Sequence, residues 1–77
     1  MNNSQHFFMW RFITNYLSPL ILACNLYVKS VKYVDSGGYS CRGILRITYE
    51  DNHEKNIDVT DCDGKYKQLV IKVMMNI

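Results

Sequence analysis

An aliphatic run, Leu20-Ile21-Leu22-Ala23, ends directly on Cys24, and past that point the chain turns polar and rich in turn-forming residues. Ahead of it lie a polar start (Met1 to His6), an aromatic stretch with one cation (Phe7, Phe8, Met9, Trp10, Arg11) and an apolar stretch from Phe12 to Ala23. That order is the order of a secretory signal. The uninterrupted apolar part is about a dozen residues, short of the roughly 20 that cross a bilayer as a helix, and Asn15, Ser18 and Pro19 weaken it further. The expected division is a targeting segment over residues 1–23 and a folded domain over 24–77. An uncleaved membrane anchor is one alternative; a core helix or strand with Cys24 as an ordinary thiol is another.

A domain confined to 24–77 has a thin core, because roughly 1.5 kcal/mol of ordering entropy per residue offsets most of what apolar burial returns. A staple is therefore expected. The chain has three cysteines, an odd count that leaves one outside any bridge. Cys24 closes the apolar run, whereas Cys41 and Cys62 lie in the polar half. A lipid on Cys24 and a disulfide between Cys41 and Cys62 account for all three, and the bridge stabilises by about 3 kcal/mol in the chain-entropy reading.

From Asn25 onward, β-branched and aromatic residues cluster between turn signals, which predicts an all-β fold: a small four-stranded antiparallel meander or partial barrel. The first strand covers about Leu26 to Val34 and closes at Asp35-Ser36-Gly37-Gly38. The second, Tyr39 to Glu50, puts Tyr39, Cys41, Gly43, Leu45, Ile47 and Tyr49 on its core face. After a turn at Asp51-Asn52-His53, the third runs from Lys55 to Cys62 with Ile57 and Val59 inward. Asp63-Gly64 then predicts a hairpin into a fourth strand, Tyr66 to Met75, with Leu69, Ile71, Val73 and Met75 on one side. Pairing Leu45 with Val59 and Ile47 with Ile57 brings Cys41 within one residue of facing Cys62, an offset that a bulge near Gly43 absorbs.

Little in the chain points to chemistry. His6 lies in the targeting segment and His53 in a turn, so neither is placed to activate a nucleophile, and no enzyme is expected. Paired acids such as Glu50 and Asp51, or Asp61 and Asp63, flank turns, where they bond locally. Cys41, Cys62, Asp61 and His53 lack zinc-ligand spacing, and Ser36-Gly37-Gly38 precedes no helix, so neither a metal nor a cofactor is expected. Of nine Lys and Arg, only Arg11 precedes Cys24, leaving eight against seven acids; that near balance excludes the basic face of a nucleic-acid binder. A protein-binding surface remains. Tyr27, Tyr33, Tyr39, Tyr49 and Tyr66 are many tyrosines for so short a domain, and they suit an interface as well as a strand. Tyr33, Tyr39, Arg42, Arg46 and Tyr66 are the candidate partner-binding residues; no small-molecule substrate is expected.

Ile21-Leu22-Ala23-Cys24 resembles the lipobox of bacterial lipoproteins. The resemblance implies a lipid on Cys24 and, with Asn25 following it, an address on the periplasmic face of the outer membrane. Tyr39-Ser-Cys41-Arg-Gly43-Ile-Leu45-Arg-Ile47-Thr-Tyr49, followed by Asp63-Gly64-Lys-Tyr66-Lys-Gln-Leu69, is similar to the membrane-bound C-type lysozyme inhibitors over about thirty residues; their later Ser-Gly-x-x-Tyr segment has no counterpart here. In architecture the chain also resembles the small phage superinfection-exclusion, or lytic-conversion, lipoproteins. Together these imply a membrane-tethered protein that binds and blocks a protein partner such as an outer-membrane receptor. The competing classes are an inhibitor of the lysozyme-inhibitor kind and a structural or membrane-anchored subunit of a larger assembly.

Overall fold

The computed structural model describes residues 3–35, 43–62 and 64–77. Its N-terminal element is one long helix in three parts: α1 (Asn3–Phe12), a π-helical turn (Ile13–Leu17) and α2 (Ser18–Cys24). The joining residues Phe12, Leu17 and Ser18 all hold right-handed helical angles, so the axis continues for about 33 Å at 1.5 Å per residue. The widened turn immediately precedes Pro19, which has no N–H to donate; the Ser18 N–H reaches back five residues to the Ile13 carbonyl.

That turn has a packing consequence. Met9, Ile13, Leu17 and Ile21 recur every four residues and are all 1 % exposed or less. In a regular α-helix each four-residue step overshoots a full turn by about 40°, so such a stripe would wander around the helix. The slower-winding π turn takes back part of the drift and keeps all four side chains in the core.

The core they enter belongs to a three-stranded antiparallel sheet of order β1-β2-β3: β1 (Val28–Asp35), β2 (Gly43–Tyr49) and β3 (Glu54–Asp58). β2 alternates as expected, with Gly43, Leu45, Ile47 and Tyr49 buried and the residues between them half-buried. In β1, Val31 faces Ile47 and Tyr33 faces Leu45, while an irregularity between Val28 and Ser30 restores Val28 to the same inner face opposite Tyr49. The bulge anticipated near Gly43 is therefore in β1, and Gly43 pairs regularly with Asp35.

The anticipated β2–β3 register is also displaced. Leu45 pairs with Ile57 and Ile47 with Lys55, two residues away from the pairing read from the sequence. A slip of two preserves which side chains face inward, so Ile57 and Val59 are buried even though β3 ends at Asp58.

The chain is mixed α and β, which corrects the all-β expectation. A 3-10 turn (Thr60–Cys62) follows β3, Gly64 takes a positive φ of 74°, and α3 (Tyr66–Asn76) stands where the fourth strand was expected. Residues Tyr66, Leu69, Val70, Val73, Met74 and Ile77 carry the reason: their spacing is that of one helix face. Leu69 and Val73 are fully buried and Val70, Met74 and Ile77 pack on the core, while Ile71 and Met75 are exposed. α3 is tied down past its middle by Lys72 to Asp61 at 3.1 Å and at its C-terminal end by Lys55 Nζ donating to the Asn76 carbonyl at 2.6 Å. Phe12 and Tyr66 stack at 4.6 Å, bridging the N-terminal helix to α3.

The expected staple is corrected too. Cys62 is a free, buried thiol, and Cys41 lies outside the described residues, as do Tyr39 and Arg42. Burial, and then the charge of Asp61, push the Cys62 thiol up from its ordinary value, so it packs as a small apolar side chain.

Gly43 is required for a spatial reason. A Cβ there would stand 2.5 Å from the Tyr33 hydroxyl oxygen and 3.0 Å from Tyr33 Cε1. Gly43→Ala is accordingly expected to destabilise by about 1–3 kcal/mol in chemical denaturation, because the ring has to leave its place. Placing the same change in a Tyr33→Leu background should remove most of that penalty.

Candidate functional site

Two features stand out once the core is accounted for. The first is the outer surface of the helical layer. Among the described residues, every large apolar side chain that is exposed lies on a helix or in the turn after α2, and none lies on a strand. Phe8, Tyr16 and Leu20, with Phe12 between them, form a stripe beside the buried one at the same four-residue spacing; Phe7, Trp10 and Leu22 lie elsewhere around the helix, interrupted by Arg11, Thr14 and Asn15. Ile71 and Met75 add a stripe on α3. The open face of the sheet is different in kind, with rows running Ser30-Thr48-Glu54, Lys32-Arg46-Asn56 and Val34-Ile44-Asp58. Phe7–Cys24 is the one helix among the described residues long and apolar enough to be a signal or membrane anchor by length and composition.

The second feature is a cleft of about 280 Å3 between two turns, lined by Tyr27, Tyr49, Glu50, Asp51 and His53. Each turn is built by local bonding. After α2, the Asn25 side chain accepts from the Tyr27 N–H at 2.9 Å, and the Tyr27 carbonyl accepts from the Glu50 N–H at 2.8 Å, so Tyr27 is fixed at its backbone while its ring stands 76 % exposed. The β2–β3 hairpin turns through Glu50, Asp51, Asn52 and His53 and is closed by Asn52 N–H to the Tyr49 carbonyl at 2.8 Å, with Asn52 at a φ of 72°. Asparagine is the common non-glycine choice for that left-handed position.

His53 is held from two sides. Its ring lies flat on Tyr49, with centroids 4.3 Å apart and planes 10° from parallel, and its Nδ1 sits 2.5 Å from Asp51 Oδ1. The His53 N–H also donates to Asp51 at 3.2 Å. The backbone bond, and then the ring bond, hold the Asp51 carboxyl below the ordinary carboxylate range. An ionised carboxylate only accepts, so Nδ1 carries the proton. An aspartate orienting a histidine is half of a nucleophile-activating device, but among the described residues no serine, threonine, cysteine or lysine lines this cleft to complete it. Among the described residues, no group of three or more His, Cys, Asp or Glu could hold a metal.

Asp61 is lowered as well, chiefly by its hydrogen bond to Lys72, whose own value is raised by the same bond. Carboxylates whose folded values lie below their unfolded ones contribute stability above the ordinary carboxylate range, and that stability is lost as pH falls through it. The thermal midpoint is expected to drop on acidification below about pH 4, and Asp51→Asn or Asp61→Asn should flatten the drop.

Of the five residues proposed for partner binding, Tyr39 and Arg42 lie outside the described residues, and the other three lie apart from one another. Tyr33 is on the inner sheet face over Gly43, Arg46 is on the outer face beside Glu54 at 3.8 Å and Asn56 at 3.5 Å, and Tyr66 stacks on Phe12. Sequence reasoning did not single out the cleft. Asn25, two residues before Tyr27, and Asp51, two residues before His53, are the signals that mark its corners. Compared with known families, curated proteins and solved structures, the chain matches none.

Proposed function

We propose that the protein is a non-catalytic binding module held at a membrane surface by its helical layer, with the N-terminal helix retained as part of the fold. The observation that carries this reading is the sorting of the exposed large apolar side chains among the described residues: all lie on the helices or the turn after α2, opposite a sheet face that is polar apart from the half-buried Val34 and Ile44. The helix does not cross the bilayer while folded this way. Spanning would pull Met9, Ile13, Leu17 and Ile21 out of the core and uncover Leu45, Ile47 and Tyr49. It lies along the interface instead, where aromatic side chains are favoured, and the polar sheet is offered to a protein partner.

Trp10 is the sole tryptophan and is half exposed on that layer, so its emission reports the encounter. Lipid vesicles are expected to shift Trp10 fluorescence to the blue and to carry the protein in flotation, with Phe8→Ser/Leu20→Ser weakening both. Unchanged emission and no flotation would rule the reading out.

A second reading is favoured by the position of Cys24, which is exposed beside Leu22, Leu26 and Tyr27. A lipid there would lie with those side chains in the membrane, and residues 1–23 would be removed, leaving a lipoprotein on the periplasmic face of the outer membrane that blocks a receptor. The intact mass of protein taken from native membranes separates the two: full length supports retention, and loss of residues 1–23 with added acyl mass supports the lipoprotein.

A further inference from the structure

We infer that the cleft between Tyr27 and Tyr49 is a binding site for an alkylated ammonium group, a ligand that the membrane-surface reading neither requires nor implies. It is lined by three aromatic residues, Tyr27, Tyr49 and His53, together with the acids Glu50 and Asp51. Aromatic faces attract a cation through their quadrupole, and the methyl groups of an alkylated ammonium match apolar walls that a strongly hydrated primary ammonium does not. The charge is complementary. Glu50's carboxylate has no hydrogen-bond partner among the described residues, and Asp51 is ionised. Among the described residues no lysine or arginine lines the cleft, and Lys29, one strand residue from Val28, is held by Asn52 Oδ1 at 3.1 Å.

The cleft is also pre-organised. Tyr27 is fixed at both its N–H and its carbonyl, and Tyr49 is 8 % exposed and held flat against His53. A large ring fixed at its backbone yet left in solvent gains nothing for the fold by being there. Aromatic residues fixed in this way spare the ligand the cost of ordering its site.

The test uses the full chain in maltoside micelles, which carry no ammonium group, with choline as the probe and aromatic NMR resonances as the readout. Choline is expected to move the Tyr27, Tyr49 and His53 ring signals saturably, while 3,3-dimethylbutan-1-ol, the same shape without charge, binds about ten-fold more weakly. Tyr27→Ala is expected to weaken choline by a similar factor. Tyr27→Phe, which keeps the ring face, should stay within about two-fold, and Glu50→Gln should weaken binding several-fold, each with core methyl signals unchanged. Phosphatidylcholine vesicles that displace choline, where phosphatidylglycerol vesicles do not, identify a lipid headgroup as the source; no displacement by either identifies a soluble ammonium compound, and both results support the site. Equal binding of the neutral alcohol, or choline shifts that never saturate, would overturn it.

Discussion

Residues 24–77 expressed without the preceding helix are expected not to fold. Met9, Ile13, Leu17 and Ile21 supply four of the thirteen buried apolar side chains described, and each is essentially sealed from solvent. Truncating one such side chain to alanine costs about 2–5 kcal/mol, and a whole domain holds only about 5–15 kcal/mol in reserve. Losing all four from the buried cluster they share with Leu45 and Ile47 exceeds that reserve. The shortened chain should show no sigmoidal thermal transition and should bind a hydrophobic dye, where the full chain melts cooperatively. Within the full chain, Ile13→Ala and Ile21→Ala should each lower the denaturation free energy by about 2–5 kcal/mol. A cooperative melt of 24–77 near the full chain's midpoint would mean the helix is an appendage.

The second large effect separates helix from strand at the C-terminus. In a strand, Leu69 and Ile71 share a face; in α3 they point apart, Leu69 fully buried and Ile71 53 % exposed. Leu69→Ala is expected to cost about 2–5 kcal/mol, whereas Ile71→Ala should change stability by less than about 0.5 kcal/mol, since alanine also favours the helix. Two comparable losses would return the segment to a sheet.

That segment shows why the fold was only partly legible. Leu69, Ile71, Val73 and Met75 alternate, and Tyr66, Leu69, Val70, Val73, Met74 and Ile77 also follow the helical period; residues 66–77 satisfy both, so local pattern cannot choose between them. Tertiary packing decides: a helix here covers the sheet face that a fourth strand would leave half open. β2 carried no such ambiguity. Gly43, Ile44, Leu45, Arg46, Ile47, Thr48 and Tyr49 alternate cleanly, and the core face read from them is the one observed. Register was less accessible, because a slip of two leaves every side chain on its own face. The N-terminal run is ambiguous for a related reason. An apolar stretch ending on a cysteine serves a signal and a core helix equally, and the four-residue spacing of its core stripe makes sense only with the π turn before Pro19. The cleft was hidden differently, since His53 in a turn reads as solvated until Asp51 and Tyr49 are seen to hold it.

Amide hydrogen exchange in the full chain addresses the role of the N-terminal helix most directly. If that helix is part of the folding unit, the amides of residues 13–21 exchange only through the global opening that also releases β2, with matching free energies and matching response to denaturant. Exchange of residues 13–21 within seconds, while Leu45 and Ile47 stay protected, would contradict a fold that depends on it.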